Sequence, residues 1–238
     1  MAIGPDTRRL TRTQAAAAEI DVGLRQYMLR VYNYMTGGLA LTGVAAYVTA
    51  STPALFDAIF GTPLAWVVIF APLGFVFFLS ARVHKMSLSA AQLAFWLFAA
   101  VMGLSLASVF VIYAGESIAR VFFITASVFA AMSLYGYTTK KDLTGWGSFL
   151  FMGLIGIIIA MVVNLFLASS ALQFAISVIG VLVFTGLTAY DTQRIKETYD
   201  VSASGEVAGK TAIMGALRLY LDFINLFLMM LRLFGNQR

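Results

Sequence analysis

Two aspartates, Asp191 and Asp222, stand in long apolar stretches of a chain whose other charges gather mostly in short polar segments. A charge within membrane hydrocarbon is costly unless it is paired or hydrated, so such residues mark where chemistry is expected. Asp191 ends the run Leu187-Thr188-Ala189-Tyr190-Asp191 and is followed by Thr192-Gln193-Arg194. Asp222 lies about ten residues into the last apolar stretch, about 15 Å of helical rise. Where two successive spans run in opposite directions, both carboxylates fall in the same half of the membrane. Hydropathy fixes each depth only to about one helical turn, so their contact is an expectation. Two carboxylates together in a low dielectric cannot both ionise cheaply, and the pair can share a proton. Protonated, the pair can hydrogen-bond and hold two helices together. Ionised, it repels or recruits a cation, and calcium suits that role because it prefers carboxylate and carbonyl oxygens.

Arg218, Asp222 and Asn225 are spaced four and three apart, which puts them on one helical face. Phe223, Phe227 and Met230 take the opposite positions. A polar stripe inside a membrane turns toward the bundle interior, so this helix is expected at the centre, surrounded by six others. Arg218 can neutralise Asp222, and a latch also needs a counter-charge. Asp191 read alone is a solvated helix-end residue. Arg82, at the end of the second apolar stretch, either closes a salt bridge over the aspartates or snorkels to the interface. Asn164 is expected to make an interhelical hydrogen bond, His84 to be solvated in a loop, and Glu116 and Asp57 to lie in loops on the far side.

The elements that must position these residues follow from composition. Of 238 residues, 61% are hydrophobic and 11% charged, and mean hydropathy is +0.88. A soluble domain is about 45–50% apolar and about 25% charged, so an ordinary cytosolic enzyme is excluded, as is a disordered chain. Seven apolar stretches, at 31–50, 64–81, 90–113, 118–138, 146–167, 171–190 and 212–234, are each long enough to span a membrane. The seventh, with Arg218, Asp222 and Asn225, is the least certain by hydropathy. Pro72 should kink the second, and Gly153, Gly156 and Ala160 let neighbours approach the fifth. The fold class is therefore an all-α integral membrane protein, one seven-helix domain over residues 30–238 behind a polar N-terminal tail over 1–29, mobile or lying along the surface. Of the 16 Lys and Arg, twelve fall in the tail and alternate loops, and the other side holds Arg120, Arg232 and Arg238. That asymmetry puts the N-terminus in the cytoplasm, and it accounts for the net charge of +5 without nucleic acid.

Several chemistries are excluded. With no cysteine and one histidine, thiolate metal sites, iron–sulfur clusters, cysteine nucleophiles and multi-histidine metal sites have no ligands. The last span lacks the lysine a retinal Schiff base requires, and His84 lies outside any span that could serve an intramembrane serine protease. Two aspartates on separate helices match an intramembrane aspartyl protease by number but lack its usual glycine-rich surroundings. The chain is read as a non-enzyme without a resident cofactor.

Three runs of residues carry a family resemblance. They are Tyr190-Asp191-Thr192-Gln193; Leu219-Tyr220-Leu221-Asp222-Phe223-Ile224-Asn225-Leu226-Phe227; and Met86-Ser87 followed by Ala94-Phe95-Trp96 and Gly103-Leu104-Ser105. Together they resemble the transmembrane Bax inhibitor motif family, particularly its bacterial members, from about Arg30 to Gly235. The resemblance implies a seven-helix bundle with the last helix central and the activity of a pH-sensitive calcium leak channel. Some eukaryotic members suppress cell death, and some bacterial members bind and modulate a membrane-anchored protease. The family's paired aspartates map onto Asp191 and Asp222, as pH sensor, gate and transient calcium ligands. Its second-helix arginine maps more loosely onto Arg82. Arg218 departs from the family pattern and could compete for Asp222, lowering the pH at which the latch opens. Three activities fit these helices: the leak channel, a non-conducting regulator of a protease or stress pathway, and a proton-coupled transporter. The bacterial character of the motifs points to an inner membrane.

Overall fold

The computed structural model describes the backbone of residues 5–238 and side chains from Val22 onward. Its elements are α1 (Pro5–Ser51), α2 (Pro53–Phe60), α3 (Leu64–Arg82), a 3₁₀ turn (Val83–Lys85), α4 (Leu88–Ile112), α5 (Gly115–Thr138), α6 (Thr144–Leu167), α7 (Ser170–Glu197) and α8 (Gly205–Phe234). The protein is an all-α integral membrane bundle. Six helices, α3 to α8, are long and apolar enough to cross a membrane. Residues 22–51 of α1 reach that standard only together with α2, from which they are bent by 97°, so the spans number six, or seven with the bent pair. The uncertain span is thus the first rather than the seventh. Asn33, Thr36, Gly37 and Gly38 dilute the hydropathy of α1, whereas α8 offsets its charges with Phe, Leu and Met.

The α8 helix lies at the centre. Of its most apolar window 72% is buried, against 39% or less for every other span. It packs against α1, α4, α5 and α7 and touches α3, while α6 leans on α7 at the periphery. Five of the six expected neighbours thus pack on α8 along its backbone, and α6 meets it through Met161, 4.0 Å from the Arg232 guanidinium. A bilayer supplies no hydrophobic drive between helices, so close packing and interhelical hydrogen bonds hold the bundle. Gly103 shows the first: a Cβ there would lie 2.6 Å from the Thr42 carbonyl oxygen of α1. Two residues on, Ser105 shows the second. Pro72 cannot donate to the carbonyl of Val68 one turn earlier, and the Ser105 hydroxyl of α4 donates to that oxygen instead. The α3 helix runs through Pro72 unbroken.

The sequence boundary at residue 29 has no counterpart in the backbone. Residues 22–29 continue α1, and Tyr27 and Met28 are buried in the bundle. The arginines at 8, 9 and 12 lie where side chains are not described. Among the described residues Asn164 makes no hydrogen bond across to another helix. Its Oδ1 accepts the Ser169 N–H (3.0 Å) and its carbonyl accepts the Ala168 N–H, closing the end of α6.

Candidate functional site

The α7 helix continues six residues past Asp191, to Glu197, so this aspartate does not end its helix. The α5 and α7 backbones nearly touch just before it: a Cβ at Gly136 would lie 2.2 Å from the Ala189 carbonyl oxygen. The four residues of the Tyr190–Gln193 run then each face a different partner. The Tyr190 ring fills the space beside Gly147 of α6, where a Cβ would come within 2.4 Å of it. The Thr192 hydroxyl shares a 3.0 Å hydrogen bond with Ser133 of α5, and Ser133 shares one of 2.6 Å with Tyr32 of α1. Gln193 clamps the α5–α6 loop, donating to the Lys141 carbonyl (2.9 Å) and accepting the Leu143 N–H (2.8 Å). These bonds put Asp191 near the level of that loop, at the face of the bundle that carries most of the Lys and Arg.

Asp191 faces Asp222 of α8, and the two carboxyls lie within hydrogen-bonding reach of each other. Asp222 is buried, and Asp191 is partly exposed. The Oδ2 oxygen of Asp222 has no hydrogen-bond partner among the described residues. Buried polar atoms in folded proteins are nearly always partnered; among the described residues the Tyr27 hydroxyl shares this condition, and the Asp222 oxygen differs in having a second carboxyl beside it. Two ionised carboxylates offer each other no donor, whereas one proton between them makes a hydrogen bond of the strong, charge-assisted kind.

The expected counter-charges are placed differently. Arg218 is exposed and makes no direct ion pair with either aspartate among the described residues. Its charge acts on both carboxyls through space. Four residues turn a helix by about 400°, so Arg218 and Asp222 are offset by about 40°; Asp222 turns into α7 and Arg218 to the outside. Asn225 spends its amide on the Leu221 carbonyl of its own helix (2.9 Å). Arg82 is exposed, and α3 packs on α4 rather than on α7. No salt bridge from Arg82 closes over the aspartates among the described residues; the looser of the mapped positions does not reach the site. His84 is exposed in the 3₁₀ turn.

Reading the sequence for charge left out Tyr32, Ser133, Thr192 and Gln193, which fix α7 to α1, α5 and the α5–α6 loop. Their signal is present as uncharged polar side chains in or beside the apolar stretches, with Thr192 next to Asp191 and Gln193 one residue further. Among the described residues no three His, Asp or Glu gather into a metal-binding group, so the acidic side chains that face a cation here are the two of the pair.

The family model described as inhibitor of apoptosis-promoting Bax1 matches residues 24–238. The chain belongs to the Bax inhibitor family. An uncharacterized protein of Rickettsia prowazekii is 52% identical over 98% of both chains. The inner membrane protein YbhL of Escherichia coli is 49% identical over 91% of this chain and 94% of its own. An uncharacterized protein of Caulobacter vibrioides is 47% identical over 94% and 93%. In this member of the Bax inhibitor family the match begins inside α1, upstream of residue 30, and takes in the buried Tyr27 and Met28.

Proposed function

We infer that this chain is a pH-sensitive calcium leak channel of a bacterial inner membrane, gated by Asp191 and Asp222 between α7 and α8. The observation that carries the reading is the buried Asp222 oxygen that lacks a donor while a second carboxyl faces it. A proton held between the carboxyls supplies that donor and ties α7 to α8. Its loss leaves like charges in contact, and two unit charges about 4 Å apart repel by about 4 kcal/mol at an effective dielectric of 20. The nearby cations Arg218 and Arg194 reduce that repulsion without pairing directly with Asp222. The repulsion moves the last turns of α7 away from α8 and opens a path beside the central helix, where the ionised pair receives calcium as cargo. The excess of Lys and Arg on the face that bears the pair puts the gate at the cytoplasmic end. The sign follows: flux is low at acid pH and rises as the proton is lost.

The test is calcium flux into proteoliposomes between pH 6 and 8. Wild-type flux should rise with pH, and Asp191→Ala and Asp222→Ala should each flatten that dependence. Unchanged pH dependence in both variants rejects the gate. A second reading, a non-conducting regulator of a membrane-anchored protease, draws on one observation: a groove of about 930 Å³ between α1 and α5 is lined by neither aspartate. Absence of flux above empty vesicles at every pH selects that reading.

A further inference from the structure

The wall between α1 and α5 is not closed. These helices stand apart around a groove of about 930 Å³, floored by Phe223 of α8. A second space of about 290 Å³ shares Leu39, Gly43, Phe122 and Phe223 with it and carries the groove toward the opposite face. The lining is sharply graded. One end holds Arg25, Tyr32, Ser133 and Tyr137, and the remainder is almost wholly apolar. Arg25 is the only charged residue lining the groove among the described residues, and no acidic side chain lines it. Beside the polar end, Lys196 adds a second cation: its ammonium donates to the Tyr137 carbonyl (2.8 Å) and stands 5.3 Å above the Tyr137 ring. From Arg25 to Val44 the groove follows about 28 Å of α1.

We propose that this groove is a binding site for an anionic phospholipid, with the phosphate at Arg25 and the acyl chains along Met35, Leu39, Phe122 and Phe129. A cationic, hydroxyl-bearing mouth above an apolar trough is the complement of such a lipid. Volume separates it from the alternative occupant. A spanning helix about 10 Å across and about 30 Å long fills about 2,400 Å³, well beyond the groove. Small-molecule pockets run to about 300–1,000 Å³, so the groove takes one amphiphile whose chain ends extend from it into the bilayer, and not a spanning helix. The hydrogen bond from Tyr32 to Ser133 crosses the groove wall and continues to Thr192, next to Asp191, so an occupant there lies two hydrogen bonds from the aspartate helix. The site stands whether or not the chain conducts calcium.

The test is native mass spectrometry of the full chain, delipidated and then offered equal amounts of phosphatidylglycerol and phosphatidylcholine. The wild type should retain one phosphatidylglycerol in preference. Arg25→Gln, at an exposed position, should lower that preference about fivefold, the effect of one cation at an anionic surface, while lipid is still retained. Gly43→Phe should lose both lipids, because its side chain grows into a space with no atom within 4 Å of the Cβ. If Gly43→Phe fails to elute as a folded, monodisperse species, Ala126→Phe on the facing helix asks the same question. Equal retention of the two lipids by the wild type overturns the proposal. So does wild-type phosphatidylglycerol retention in Arg25→Gln and in the groove-filling variant, or recovery of another protein's helix in the groove with lipid excluded.

Discussion

Tyr220 and Asp222 stand two residues apart on the central helix, and both are buried. Their surroundings differ. The Tyr220 hydroxyl is bonded to Thr42 of α1 at 2.6 Å, and Thr42 donates onward to the Ala99 carbonyl of α4 at 2.8 Å. The Tyr220 ring meets Phe98 edge-on at 5.1 Å and Phe95 at 6.4 Å. Here the Tyr220 and Thr42 hydroxyls are both partnered and the packing is aromatic and tight. Asp222 meets another carboxyl and leaves one oxygen without a donor. The comparison teaches that around Tyr220 the α1, α4 and α8 helices are tied into a frame by hydrogen bonds that close within the protein. The contact with α7 is instead completed by a proton.

Breaking the frame should have the largest effect. Gly103→Val forces a side chain onto the Thr42 carbonyl and the Ala45 Cβ, each 2.6 Å from where its Cβ would lie. Backbone cannot yield as a side chain can, and overpacking of this kind costs about 3 kcal/mol. Thermal unfolding in detergent should show a large fall in midpoint or no folded species. The next effect has the opposite sign. Asp222→Asn gives the Asp191 carboxylate a donor, a hydrogen bond to a charged group worth about 2 kcal/mol, so at pH 8 this variant should melt above wild type. Tyr220→Phe should melt lower by about 1 kcal/mol, the worth of one neutral hydrogen bond. Opposite signs at positions 220 and 222 sharpen the contrast; the same sign would remove it.

The smallest effect lies outside both regions. Asp142, in the α5–α6 loop, accepts hydrogen bonds from the Thr144 side chain and backbone, which hold its carboxyl below the ordinary value of 3.8. A depressed carboxyl stabilises the fold above the unfolded value, and that stability is lost as pH falls through the folded one. Asp142→Asn should therefore lower the melting midpoint slightly at neutral pH. The difference should vanish on acidification below about pH 4.

Much of this arrangement was legible in the sequence. Hydropathy revealed the spans, and the cost of intramembrane charge singled out Asp191 and Asp222. The runs around these aspartates pointed to the family. What escaped depends on which helix faces which. Nothing along the chain tells that Ser105 answers the Val68 carbonyl left open by Pro72, because the two meet only across α3 and α4. Arg82 and Arg218 have the right charge and rough depth, but rotation about their helices turns both outward. Thr192 and Gln193 stood in plain view beside Asp191, and only the fold supplies Ser133 and the α5–α6 loop as their partners. The α1 helix is the weakest span by hydropathy for a related reason. Its Thr42 is buried against partners on α4 and α8, so the polarity that weakens its hydropathy is part of the packing.

The central claim, that proton loss from the Asp191–Asp222 pair moves α7 against α8, can be measured as a distance. The chain has no cysteine, so spin labels at Glu197→Cys and Val207→Cys, both exposed positions, report on α7 and α8 alone. In the otherwise wild-type protein in lipid vesicles, the distance should widen from pH 6 to pH 8. In the Asp222→Asn background it should hold one value across that range. An equal widening with Asn at position 222, or no change in wild type while its calcium flux rises, would contradict the account.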